Sequence, residues 1–406
     1  MNPTHPLPPI DRRALYAFAA LPGPGVWAAR IADIARQAAA GPRAGQALRQ
    51  RQSIQLAIEQ LRRSSGRAIP AIGHHVADLA AQAVALARRL TPAGRVRFDA
   101  MIHAAMHGDG NLVPLFHLLR TAALHRARGF GVHFAGLEDG APFDLLLSRD
   151  HAEAEVACHV VSAEEGRHLH RGAWFRLADR IDPDLQTWLA AHPGRYLLKV
   201  TLPDGLRIGP QHGAEDGDLA ALHQRIRDML ERQRRQDYSE SVMLRLDPLL
   251  LAGAQADELG LVSRLRHEFG PEAHLSVTAA GDGVFVMAAR TGRENEIAAA
   301  VRRRMAAITP TRLTGTRPGI LAMFVDEIDR TEWRALREHL ELEGEARQFL
   351  LHPAAQHVVA VTCASRLELF GMAEPDAAPD GELRFRNPAH PAARIPALAP
   401  AVLSLV

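Results

Sequence analysis

Pro142-Phe143-Asp144-Leu145-Leu146-Leu147-Ser148 leads through Arg149-Asp150-His151-Ala152 into Glu153-Ala154-Glu155-Val156-Ala157-Cys158-His159-Val160-Val161. Both flanks are short and apolar-rich, and the second alternates in polarity, so each predicts a strand: Phe143–Ser148 and Glu153–Val161. The link at 149–152 is far too short for a crossover, which makes the pair an antiparallel hairpin. Side chains alternate along a strand, so Glu153, Glu155, Ala157 and His159 share one face while Val156, Cys158 and Val160 turn toward the core. Asp144 opens the first strand and belongs to the same sheet. Carboxylates on adjacent strands are what Mg²⁺ requires: hard oxygen ligands, several retained waters and room for a phosphate oxygen.

Outward from the hairpin, Asn111 can cap a helix that tolerates Pro114 in its first turn and ends at Gly129. Phe130–Phe134 predicts a strand and Glu138–Ala141 a turn. Trp174–His192 predicts a helix with a restart at Asp182-Pro183, and Tyr196–Leu202 a fourth strand. The order is helix, three strands, helix, strand. With Pro142-Phe143-Asp144, Glu155-Val156-Ala157-Cys158-His159 and the polar loop Val161–Arg167, residues 111–205 resemble the PD-(D/E)XK, or restriction-endonuclease-like, nuclease superfamily.

The resemblance implies an αβββαβ core, Mg²⁺-dependent phosphodiester hydrolysis, and Asp144 and Glu155 as metal ligands. In that family a glutamate and a lysine two positions apart share the metal-facing side of the third strand. If Glu155 is the glutamate, Ala157 stands at the lysine position. If the register shifts by two, Ala157 replaces the glutamate and His159 the lysine. The second register is preferred, because it keeps Cys158 and Val160 inward and runs directly into the polar loop. In either register the lysine is absent. Orienting water and stabilising phosphate charge would pass to His159, or to Lys199 from the fourth strand. The implied metal site is therefore weakened or inactive.

With 406 residues, 47% apolar and 23% charged, the chain is globular and long enough for two or three domains. The expected class is α/β (α+β): a helical N-terminal domain at 1–110, the nuclease-like core at 111–210, a basic connector helix at 211–240, a C-terminal α/β domain at 241–373 and a proline- and alanine-rich surface tail at 374–406. Leu15, Phe18 and Ala19, then Ile54–Leu61, Ala77–Leu90 and Val96–Met106, mark the N-terminal helices. The C-terminal domain should contain strands at Val242–Leu246, Gly319–Val325 and Val358–Cys363. A hairpin at Leu275–Ala289 should turn at Gly281-Asp282-Gly283, with helices at Glu258–Phe269, Glu294–Met305 and Thr331–Leu342.

Several function classes drop out. No run of eighteen apolar residues is present to span a membrane, and the proline-rich start lacks the basic region of a secretory signal. Cys158 and Cys363 are the only cysteines, too few for a disulfide scaffold or zinc knuckle, so a reducing, cytoplasmic setting is expected. Lys199 is the only lysine, which excludes a Walker-type phosphate loop and the kinase lysine–glutamate pair. His103 and His107 share a helix face, but Ala104 stands where a metalloprotease has glutamate. The net charge of +2 argues little by itself. Arg225, Arg227, Arg232, Arg234 and Arg235, with Arg302, Arg303 and Arg304 and the loop residue Arg167, are the candidate phosphate contacts, and DNA the candidate partner. The working function is a nucleic-acid-acting protein of nuclease ancestry. The competing ones are a non-catalytic scaffold on the same fold, and an active endonuclease using His159 or Lys199.

Overall fold

A computed structural model describes residues 10–64, 71–206, 212–249 and 273–403, together with Leu265 and Phe269. The protein is mixed α/β with an N-terminal helical region and two mixed sheets. Its strands are β1 (Gly131–His133), β2 (Leu145–Arg149), β3 (Ala152–Ser162), β4 (Arg195–Leu202), β5 (Gln236–Tyr238) and β6 (Met243–Pro248), then β7 (His274–Ala280), β8 (Gly283–Thr291), β9 (Gly319–Asp326), β10 (Val358–Ser365) and β11 (Leu383–Arg386). The chain divides into two compact units. One comprises residues 1–35, 49–165 and 298–406, the other residues 36–48 and 166–297. Among the described residues no helix is long and apolar enough to cross a membrane.

The first unit begins with the expected helices. The Asp11 side chain accepts from the Arg13 and Ala14 N–H groups to start Arg12–Ala20, and Thr91 caps Pro92–Met106 in the same way. Leu15, Phe18, Ile54 and Ile58 pack in one core, and the helix Val113–Ala127 is buried on nearly all sides within it. Its sheet runs β1-β2-β3-β9-β10-β11. β2 and β3 are antiparallel as expected, joined through Asp150 and His151, both left-handed at φ 46° and 64°. Two positive φ values give the hairpin turn whose twist suits the flanking strands. β3, β9 and β10 are mutually parallel, and β9 and β10 are buried along their whole length, as parallel strands covered on both faces must be.

The second sheet runs β5-β6-β4-β8-β7. Leu198 and Val200 of β4 and Phe285 and Met287 of β8 form its core with Trp174, Leu177, Ile181, Leu185 and Leu189 of the helix Arg171–Ala191. The helix Arg171–Ala191 passes through Pro183 without the expected restart. In the same unit, Arg43 bonds Asp179, Asp182 and the Val277 carbonyl.

Three expectations about boundaries are corrected. Residues 111–205 do not form one sheet: the first three strands join β9, whereas the fourth, β4, pairs with β6 and β8. The reason is visible at the ends of the intervening segment. The Glu296 N–H donates to the Gly166 carbonyl at 2.7 Å, and a side chain on Gly166 would meet the Ile297 Cα at 2.4 Å. Residues 166–297 therefore leave and return at one point, as an inserted unit does. Second, 211–240 is no connector. The helix His212–Glu231 buries Leu219, Leu222, Ile226, Met229 and Leu230 in the second core. Third, the C-terminal tail is structural. β11 closes the edge of the first sheet, and Leu398, Ala401 and Val402 are buried. The expected helix Glu258–Phe269 lies outside the described residues except for Leu265 and Phe269.

Candidate functional site

The β2–β3 register decides which residues meet. Leu145 pairs with Val156, so one further step sets Asp144 opposite Ala157. The Asp144 N–H donates to the Val156 carbonyl at 2.9 Å, and the Cys158 N–H donates to Asp144 Oδ2 at 2.7 Å. Glu155, Ala157 and His159 follow one another at alternate positions on the same face of β3. β9 lies on the other side of β3, with Leu321 opposite Ala157 and Met323 opposite His159. It brings no charged residue to that level.

Charge arrives instead from the segment that ends the helix Ile297–Arg312 and enters β9. Arg312 Nη2 donates to Asp144 Oδ2 at 2.6 Å, and its Nε to the Pro142 carbonyl at 2.7 Å. The Thr314 N–H donates to Glu155 Oε2 at 2.8 Å, and the Thr314 hydroxyl to Oε1. Arg317 pairs with Glu153 at 2.7 Å and lies 3.7 Å from Glu155. The Glu155 N–H donates to the Pro318 carbonyl. This polar strap binds every carboxylate that the hairpin offers at Asp144, Glu153 and Glu155.

The electrostatics follow from burial. Glu155 is 0% exposed, and each of its carboxylate oxygens already accepts a hydrogen bond. Burial pushes the Asp144 carboxyl above its ordinary range, against the opposing pull of Arg312 and the Cys158 N–H. His159 is half-buried. Burial lowers its pKa first, and the positive charges of Arg304 and Arg312 lower it further, while Glu165 acts in the opposite sense. A histidine held toward its neutral form supplies less positive charge than a lysine in the same place would.

Magnesium fits this donor set poorly. Asp144 is held by a guanidinium and a backbone N–H, the neighbouring position is Ala157, and Glu155 is occupied by Thr314. Among the described residues no three His, Cys, Asp or Glu side chains gather as a metal-binding group. Asp144 and Glu155, expected as metal ligands, each have a partner from the strap in this structure.

Lys199 lies on β4, in the five-stranded sheet, where it pairs with Asp247 at 3.2 Å and sits over the Phe269 ring. Its expected place on the strand next to β3 is taken by β9. Of the phosphate candidates, Arg167 is buried, 1% exposed. Arg225 pairs with Asp237, Arg227 with Asp184 and Glu231, Arg232 with Asp228, Arg302 with Glu345 and Arg304 with Glu165. Arg234, Arg235 and Arg303 are exposed. His103 and His107 are also exposed, and His107 Nδ1 donates to the His103 carbonyl at 2.7 Å.

Sequence reasoning missed Arg312, Thr314 and Arg317. The polar run Thr311–Arg317 before an apolar strand was their only local signal. Comparison with family models, with curated proteins and with solved structures finds no match for this chain.

Proposed function

We propose that this protein is a nucleic-acid-binding derivative of a PD-(D/E)XK nuclease core that has lost metal-dependent hydrolysis. One observation carries the reading. With residues 166–297 set aside as an insertion, the chain runs helix Val113–Ala127, β1, β2, β3, helix Ile297–Arg312, β9, with β3 and β9 adjacent and parallel. That is the αβββαβ order the resemblance implies, completed by a later helix and strand than Trp174–His192 and Tyr196–Leu202. The Asp144, Ala157, His159 alignment agrees with the second register. A missing carboxylate, a missing lysine and a strap that occupies the remaining acids all argue against turnover.

Binding would rest on exposed guanidinium groups such as those of Arg234 and Arg235, because arginine recognises phosphate through paired N–H groups. Neutralising phosphates releases counterions, so affinity for duplex DNA should fall steeply with salt. The double substitution Arg234→Ala and Arg235→Ala should reduce the salt slope by about 2, roughly one for each lost phosphate contact. Duplex DNA incubated with Mg²⁺ or Mn²⁺ should remain uncut. Cleavage that disappears with Asp144→Ala would overturn the loss of hydrolysis. Absence of binding at low salt would favour a scaffold acting on other proteins, which the many internally paired arginines also suit.

A further inference from the structure

We infer that the Arg312 guanidinium occupies the place of the divalent cation, so that this site carries a resident organic cation and meets a phosphate oxyanion without metal. The inference rests on the nuclease-derived reading of the hairpin. A metal between the second and third strands would need Asp144 and a carboxylate at position 157. Arg312 Nη2 sits 2.6 Å from Asp144 Oδ2, on the carboxylate that would hold the ion, and its Nε anchors on the Pro142 carbonyl at 2.7 Å. Ala157 is 0% exposed and supplies no competing oxygen.

The exchange is chemically coherent. A buried carboxylate needs a partner cation, and removing one member of such a pair leaves an uncompensated charge. A sequence that lost its second acidic ligand would hold a divalent ion poorly, whereas a guanidinium needs only one carboxylate and a carbonyl. The side chain is 30% exposed, and its two bonds to Pro142 and Asp144 leave further N–H groups of the guanidinium for an incoming oxygen. Its fork geometry suits a phosphate oxygen as it suits a carboxylate. Such a site would hold a phosphodiester in position. It would provide no activated water.

The test is to rebuild the second ligand with and without the resident cation. Ala157→Glu alone should not bind Mn²⁺ appreciably, since Arg312 pairs with the acids. Ala157→Glu with Arg312→Ala should bind Mn²⁺ at least tenfold more tightly, read by the electron paramagnetic resonance signal of free Mn²⁺. The same double variant should melt at a higher temperature when Mn²⁺ is added, because a ligand that binds only the folded state stabilises it. Should Arg312→Ala compromise folding, Arg312→Gln in the same background keeps a polar but shorter and uncharged side chain. Equal Mn²⁺ affinity with and without Arg312 would overturn the inference while leaving the nuclease-derived core intact. No Mn²⁺ binding by either folded double variant would overturn the register on which both proposals rest.

Discussion

β3 and β4 occupy equivalent positions in their sheets yet treat charge in opposite ways. Each has a parallel neighbour on one side, β9 or β8, and an antiparallel one on the other, β2 or β6. β3 carries Glu155 fully buried, with both oxygens bonded by Thr314. β4 carries Lys199, 38% exposed, paired with an aspartate that also has Arg245. Topology therefore does not decide where a charged side chain matters. The decisive quantity is the cost of desolvation, which β3 incurs and the strap 312–318 offsets, and which β4 largely avoids.

The comparison predicts its largest difference at Glu155. Glu155→Ala removes the acceptor for two Thr314 donors and opens a cavity beside β9, so it should cost about 3 kcal/mol, the upper end for a hydrogen bond to a charged group. Glu155→Gln keeps the shape and one acceptor and should recover part of the loss. Hydrogen exchange of the β3 amides reads both values. A cost below about 1 kcal/mol would mean that the strap is decoration and that Glu155 is free for another role.

A second effect comes from the helix that lies against the opposite face of the first sheet. His117 is fully buried, with Nε2 donating to the Ala322 carbonyl at 2.8 Å, and burial depresses its pKa to about 4. His125 is depressed to about 4 for the same reason. Both values lie below those of the unfolded chain, so the unfolded state takes up protons first as pH falls. The contribution is fully present above pH ~6.5 and is lost progressively toward pH ~4. Between pH ~7 and pH ~5 each histidine should remove about 2 kcal/mol of stability. Replacing His125 with Phe should flatten that dependence by roughly half, as read from urea midpoints across the pH series. An unchanged slope would show that His125 is hydrated in solution.

How much of this was legible in the sequence depends on separation along the chain. The hairpin was readable because its two strands are neighbours and its alternation is local, and the same holds for the N-terminal helices and for β7–β8. The partner of β3 was not. Tyr196–Leu202 and Gly319–Val325 both read as apolar strands, and nothing local says that a unit of its own core lies between β3 and its parallel neighbour. Gly166 and Ile297 meet only once the fold exists. The candidate site divides along the same line. Ala157 and His159 lie two apart on one strand, so their shared face followed from alternation, whereas the register that sets Asp144 opposite Ala157 came only with the fold. Arg312 reaches Asp144 across 168 positions and Thr314 reaches Glu155 across 159, separations at which spacing carries no information. Lys199 attracted attention as the only lysine, a property of composition rather than of place.

The smallest expected effect closes the contrast with β3. Lys199→Ala removes one half-exposed ion pair and a cation–π contact with Phe269, at 5.5 Å from the ring centroid. Exposed pairs contribute less than about 1 kcal/mol, and solvent screening applies here because the ammonium is more than a third exposed. Asp247 keeps a bond from Arg245 Nε at 2.9 Å, so the substitution strands no buried carboxylate. The loss in stability should therefore be about 0.5 kcal/mol, several-fold below that of Glu155→Ala, and affinity for duplex DNA should be unchanged at fixed salt. Hydrogen exchange at β4 and a binding isotherm measure the two quantities. A stability loss above about 2 kcal/mol would place Lys199 among the desolvated charges and erase the difference between the two strands. Unchanged stability with a tenfold loss of DNA affinity would instead make Lys199 a phosphate contact, and β4 would then carry a binding role that its geometry does not announce.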